Sequence, residues 1–358
     1  VSSRLPGKRL ENPVFPVMIM DMSMPQDIES ALNALASKLG ESGTKIADLT
    51  RLSGGASQET WRFSIIDPDG TETRRILRRA PNGLSDARSS TALPLSSEAR
   101  LIEVAGAAGV PVPSIVHVLT ELESLGDGFI MDFLDGETIG PKILRSEALS
   151  SARNRLAAQC GDALAHTHSI DGGCLPRLET ASASEQLDRY EDLYRNYDIP
   201  RPTFELAFQM LRDTTPAPLE PVLVHGDFRL GNLMVNEAGL AGVLDWELAH
   251  MGDPREDIGW ICVNSWRFGK TENRVGGFGR LEDLLEAYAA AGGQRFSPDE
   301  IDWWEMLGSL KWGIMCMTMY DIYRTGADPS VERAAIGRRV SETEIDLIAL
   351  MEARLTNA

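Results

Sequence analysis

Apolar positions along this chain follow two different periods, and the change between them divides the molecule. Up to about residue 135 the runs are short and alternating. Residues 46–52 read as a strand, and residues 60–66 as a returning strand whose Trp61, Phe63 and Ile65 sit at every second position and share one face. Asp67-Pro68-Asp69-Gly70 is a turn sequence, because proline presets φ early in a turn and glycine accepts a positive φ at its end. A third strand, residues 73–78, follows it, and Phe129-Ile130-Met131-Asp132-Phe133-Leu134 reads as the last strand of this part. Two helices accompany the strands. One covers residues 28–39, capped by Asp27, with Ile28, Ala31, Leu32, Leu35, Ala36 and Leu39 as its inner face. The other covers residues 97–108, capped by Ser96 or Ser97, and Gly109-Val110-Pro111-Val112-Pro113 ends it and begins an extended segment. From Ser146 onward apolar residues recur at three- and four-residue spacing, which predicts helices over 152–168, 184–197, 203–211, 281–291, 299–323 and 331–353.

Two apolar runs interrupt that helical pattern. Residues 221–224 read as a buried strand delivering Asp227 to its end, and residues 241–244 as a second strand delivering Asp245. Between them lies Asn232, within His225-Gly226-Asp227-Phe228-Arg229-Leu230-Gly231-Asn232. A carboxylate, an amide and a second carboxylate at this spacing suit phosphoryl transfer from Mg·ATP, which asks a protein mainly to place an acceptor hydroxyl and to neutralise phosphate charge. Asp227 is the candidate to orient that hydroxyl and take its proton. Asn232 and Asp245 are candidate Mg²⁺ ligands, since magnesium prefers hard oxygen donors and completes its shell with phosphate and water. Ordinary turn chemistry is the competing account of an Asp and an Asn in one loop.

The words HGDFRLGN and LDWE resemble the aminoglycoside phosphotransferase family, the small-molecule branch of the protein-kinase-like fold. The longer stretches HGDFRLGNLMV and LDWELAHMGDPREDIGW are similar to the branch fused to, or encoded near, acyl-CoA dehydrogenases. The resemblance covers roughly residues 45–330. It implies an α+β, two-lobed fold, with an N-lobe carrying a small antiparallel sheet over 27–135 and a larger helical C-lobe over 136–358; residues 1–26, which carry no strong periodicity, read as an N-terminal arm. It makes Ser53-Gly54-Gly55-Ala56-Ser57 a phosphate-covering turn, although this loop lacks the full protein-kinase glycine pattern and a plain hairpin turn is the alternative. By alignment Arg78 takes the place of the phosphate-pairing lysine, a departure that exchanges a point charge for a bulkier, bidentate fork. Strand alternation turns Arg79 to the other face, where we expect a solvated surface charge.

The same resemblance pairs Glu98 with Arg78, a macrodipole contact at a helix start being the alternative. It lays adenine against the strand that ends at Asp132 and Leu134, with backbone hydrogen bonds that leave ATP and GTP indistinguishable in sequence. It makes Asp257 a buried acid bracing the catalytic loop, where an ordinary helix N-terminal carboxylate would also fit. His225 is then a bracing residue rather than a base. Residues 260–280 fall where an acceptor-binding insertion lies in the family.

Composition refines the picture. At 358 residues and 43% hydrophobic the chain can fill two lobes, and no apolar run approaches a membrane span. A formal net charge of −18 argues against nucleic acid, whose phosphates it would repel. Cys160, Cys174, Cys262 and Cys316 form no CxxC pair, and His166 and His168 have no metal-ligand spacing, so a reduced, cytoplasmic protein without a structural zinc is expected. Met315, Met317 and Met319 read as core, or as an adaptable pocket wall. Arg267, Lys270, Arg274 and Arg280 concentrate positive charge in the acceptor segment. That favours an anionic acceptor such as a hydroxyacyl-CoA ester over an aminoglycoside, unless the stretch is a solvated loop. The expected partner is thus a small-molecule hydroxyl, with ATP and Mg²⁺ as cofactors; a non-catalytic nucleotide-binding module is the alternative of another class. Oligomeric state is not legible in the sequence.

Overall fold

A computed structural model describes residues 25–52, 58–83, 92–120 and 123–357. The SGGAS turn and nearly all of the expected arm therefore lie outside the described residues.

Five strands form an antiparallel sheet in the order β1-β2-β3-β5-β4: β1 Lys45–Arg51, β2 Glu59–Ile66, β3 Glu72–Arg79, β4 Ile115–Val118 and β5 Gly128–Asp132. The alternation in β2 does what its period requires. Trp61, Phe63 and Ile65 are buried with Leu77 and Ile130 against Ile28, Leu32 and Leu35 of α1, Pro25–Leu39. The opposite face sends Ile76, Phe129 and Met131 into a larger core shared with α2, Leu95–Ala107, and with the helical part. The turn at Asp67 closes with Gly70 N–H donating to the Asp67 carbonyl at 2.9 Å, and Gly70 has φ 88°. Strand β4 lies in the extended segment beyond Pro113 and completes the sheet edge.

Three expectations in this half are corrected. Arg79 is buried, not solvated: β2 and β3 pair Glu59 directly with Arg79, and the carboxylate accepts from Arg79 Nε at 2.7 Å. Burial opposes ionisation of Glu59, but Arg79 holds its carboxyl below the ordinary range. Neither Ser96 nor Ser97 caps α2. The helix begins at Leu95 behind Pro94, whose fixed φ suits the entry, and no side chain caps it. Similarly α1 starts before Asp27, which sits in its first turn.

The remainder is helical. α3 is Gly140–Arg145, α4 Ser150–His168, α5 Ala183–Arg195, α6 Pro202–Asp213, α7 Arg255–Cys262, α8 Leu281–Ala290, α9 Pro298–Thr325, α10 Val331–Gly337 and α11 Val340–Asn357. Helix α5 starts with a capping box of Ser182 and Glu185; α9 starts at Ser297 with Pro298 and Glu300 and stops at Gly326, φ 78°. The single helix expected over 331–353 is two, broken after Gly337 where Tyr320 of α9 packs against the glycine. Cys316 and Met317 are buried in the α5–α6–α9–α11 core, so the packing reading holds there, whereas Met315 and Met319 are half-buried and Met315 packs beside Trp260 and Trp266. Two small ribbons cross this half: β6 Val222–Val224 with β9 His250–Gly252, and β7 Leu233–Asn236 with β8 Gly239–Val243. Among the described residues no helix is long and apolar enough to cross a membrane.

Candidate active site

Strand β6 ends at Val224, and the chain turns through Gly226 with φ 78°, where a Cβ would collide with the Leu248 carbonyl. That turn presents Asp227. One of its oxygens, Oδ2, accepts from Asn232 Nδ2 at 2.6 Å, and the same amide donates to the Asp227 carbonyl at 3.0 Å. The other, Oδ1, accepts from Arg229 Nε at 2.9 Å and from Trp260 Nε1 at 2.7 Å.

The two strands expected to deliver the acids do not pair with each other. Their ends are joined instead by loop contacts: Leu244 N–H donates to the Asn232 carbonyl at 2.8 Å, and His225 Nε2 lies 3.1 Å from the Leu244 carbonyl. Just beyond, Asp245 holds a left-handed backbone, φ 70°, unusual for a residue with a side chain. Arg78 reaches it from β3, with Nη2 2.7 Å from Asp245 Oδ1 and 3.2 Å from Glu98 of α2. Asp227, Asn232, Asp245, Arg78 and Glu98 thus occupy one contiguous cluster, although Arg78 and Asp245 are 167 positions apart.

Charge in the cluster is unevenly placed. Complete burial pushes the Glu98 carboxyl up, against the pull of Arg78. At Asp245 burial works the same way, but the charge and hydrogen bond of Arg78 outweigh it and hold the carboxyl below its ordinary value. Burial lowers His225 despite the acids nearby, which favours the neutral ring. Asp257 is fully buried at the start of α7 and accepts from the backbone N–H groups of His225 at 2.7 Å and Gly226 at 2.9 Å. His168 of α4 contacts it at 3.2 Å and helps hold its carboxyl low against burial.

Several of these residues carried no signal in the sequence. Gln58, the residue after the SGGAS turn, accepts from Arg78 Nε at 2.7 Å and donates to Glu98 at 3.1 Å and Glu247 at 3.0 Å. In sequence His168 reads only as a metal-ligand candidate, and Trp260 only as the end of the LDWELAHMGDPREDIGW stretch and the start of the acceptor segment. Their partners lie 89 and 33 positions away, beyond any local motif.

At the other predicted positions, Asp132 pairs through its carboxylate with Arg75 at 2.8 Å, and Leu134 packs against Gly242 of β8. Arg267 and Arg274 do not make a basic surface. Both guanidiniums turn inward onto buried Glu305, at 2.5 and 2.6 Å, and Arg267 also donates to the Cys262 carbonyl at 2.6 Å. A buried carboxylate draws them because an unpaired charge there is costly. Lys270 remains exposed.

Among the described residues no three His, Cys, Asp or Glu side chains are grouped to hold a metal. The donor set instead fits an ion that takes only part of its shell from protein: the ionised Asp245 carboxylate and the Asn232 amide, whose nitrogen is engaged by Asp227 so that its oxygen is the free acceptor by chemistry.

Residues 48–304 match the model of the phosphotransferase enzyme family APH. The chain belongs to that family. This family member is 29% identical over 262 residues to the mouse acyl-CoA dehydrogenase family member 10, covering 68% of this chain but 22% of the mouse protein, so it corresponds to a minor part of that relative. Its fold matches a candidate aminoglycoside phosphotransferase from Ralstonia eutropha with a TM-score of 0.69 and 18% identity, covering 90% of this chain and 98% of the other. It also matches an aminoglycoside phosphotransferase bound to AMP-PNP and hygromycin B, with a TM-score of 0.54 and 16% identity over 89% and 97% of the two chains. The five-stranded sheet and helical body are therefore a kinase-like phosphotransferase fold.

Proposed function

We propose that this phosphotransferase moves the γ-phosphoryl group of ATP to an alcohol on a small molecule, with Mg²⁺ as cofactor. The observation carrying the reading is that two hydrogen-bonded pairs, Asp227 with Asn232 and Asp245 with Arg78, are tied together by the Leu244 N–H on the Asn232 carbonyl. Asp227 orients the acceptor hydroxyl and takes its proton as the oxygen attacks phosphorus. Arg78 has Nε and Nη2 engaged by Gln58, Glu98 and Asp245, and we assign its third nitrogen to the nucleotide phosphates. Asn232 and Asp245 hold the magnesium, which when bound neutralises phosphate charge. Asp257 braces the turn that aims Asp227 by accepting two of its backbone N–H groups. The division into a nucleotide-covering part over 27–135 and a catalytic part over 136–358 belongs to the same proposal.

For the acceptor we propose a hydroxyacyl-CoA-type ester. Kinship supports this, since the mouse relative is named for acyl-CoA dehydrogenation. Local charge does not decide between the two classes, because each cation beside Asp227 is matched by an acid: Arg229 bonds Asp227 itself at 2.9 Å, and Lys311 is buried 3.7 Å from Glu256. The overall negative field would by itself attract a polycationic antibiotic. Turnover of a panel of hydroxyacyl-CoA esters and aminoglycosides tests the acceptor. Asp227→Ala should lower kcat by about 10²- to 10⁴-fold. Mg·ATP should raise the melting temperature of the wild type and not of Asp245→Ala. Stabilisation by Mg·ATP without any turnover on the panel would favour a nucleotide-binding regulatory module instead.

A further inference from the structure

Resting on the phosphotransferase reading, we propose that Trp260 is a positioning residue for Asp227, and that Lys311 and Glu256 hold its indole in place. A carboxylate that must meet an acceptor hydroxyl needs its plane fixed, because rotation about the last side-chain bond moves both oxygens. At Asp227 the two oxygens are held by two different parts of the chain. Asn232, in the same loop, holds Oδ2 at 2.6 Å; Trp260, in α7, holds Oδ1 at 2.7 Å. Arg229 adds a second donor to Oδ1, but its side chain is a quarter exposed, whereas Trp260 is 3% exposed. The indole is the rigid member of the pair.

What fixes the indole is a buried ammonium. Lys311 of α9 lies 4.6 Å from the centre of the Trp260 ring, 3.7 Å from Glu256, and 3.4 Å from the Gly226 carbonyl of the catalytic turn. Glu256 is itself held by Gln186 of α5 at 2.7 Å and His250 of β9 at 3.1 Å. One cation therefore touches both the residue before Asp227 and the ring that bonds Asp227. Helix α9 is coupled to the reacting carboxylate without contacting it.

The experiment replaces Trp260 with Phe and, separately, with benzothienylalanine, which keeps the bicyclic ring and its face for Lys311 but has no N–H. Turnover is read as ATP hydrolysis, with water as acceptor, and with hydroxyacyl-CoA esters. Both variants should lose about tenfold to a hundredfold in kcat, while KM for ATP and the Mg·ATP thermal shift stay near wild type. A variant with benzothienylalanine that keeps full kcat overturns the inference, since packing alone would then suffice. Indole ¹⁵N spectroscopy gives a readout independent of turnover: the Nε1–H resonance missing from Trp260→Phe should move in Asp227→Ala. An unmoved resonance also overturns the proposal. Absence of both hydrolysis and a Mg·ATP shift in the wild type removes the phosphotransferase reading itself, and the positioning role with it.

Discussion

Asp257 concentrates the most consequence in a single side chain. It is fully buried, its two oxygens accept the N–H groups of His225 and Gly226, and His168 completes its surroundings. Asn at this position keeps one acceptor and replaces the other with a donor facing an N–H, so Asp257→Asn should destabilise the fold by about 2–4 kcal/mol. The pH dependence follows from the depressed carboxyl. Its folded value lies below the ordinary 3.8, so the carboxylate's contribution is present above that value and is lost as pH falls through the folded one. Urea unfolding should therefore show the gap between wild type and variant widest near neutrality and narrowing below about pH 4; a gap constant with pH would mean that folding does not depress the carboxyl, and a gap that narrows as pH rises would mean that it is protonated in the folded protein. Asp227, Asn232 and Asp245 could be picked out in the sequence because phosphoryl transfer prescribes their types and spacing. Gln58, His168 and Trp260 could not, because each acts through a partner that only folding brings near.

Elements were legible where a period ran long enough and no tertiary contact overrode it. The alternation of Trp61, Phe63 and Ile65 places β2, and the helical spacing places α4, α8 and α9. The ribbons were harder. Strand β6 was anticipated, but β9, its partner, is three residues long and carries no pattern of its own. Arg79 departs from the surface charge its alternation predicts, because alternation gives the face of a side chain and not whether Glu59 waits across the strand. Glycines within helices are a further case in which sequence propensity misleads. Replacing a helical glycine by alanine ordinarily stabilises by about 1 kcal/mol. At Gly161 in α4 the sign should reverse, because the added Cβ would press on the Leu284 carbonyl and Tyr288 N of α8, backbone atoms that cannot rotate away. Gly161→Ala is expected to lower stability by about 1–3 kcal/mol in urea unfolding, with catalytic constants preserved in the folded fraction. A stabilised variant would mean that α4 and α8 are less closely apposed than this packing requires.

At the scale of the whole molecule the formal charge of −18 sets the approach of every ligand. Mg·ATP is anionic, and so is a CoA ester, so each meets a repulsive field before it reaches Arg78. Nothing in the acceptor segment offsets this strongly, since Arg267 and Arg274 are paired with Glu305 and, for Arg274, also with Asp302. Added salt should therefore help both. Going from about 10 mM to about 150 mM ionic strength shortens the screening length from about 30 Å to about 8 Å, and kcat/KM for Mg·ATP is expected to rise by about two- to fivefold. The acceptor's own kcat/KM then discriminates between the two proposed classes by sign. A hydroxyacyl-CoA ester should gain from salt, whereas an aminoglycoside, attracted by the same field, should lose. Initial rates at saturating partner substrate separate the two effects. If kcat/KM for Mg·ATP instead falls with salt, encounter is governed by the few cations near the cleft, Arg78 and Arg229 among them, and not by the net charge of the chain.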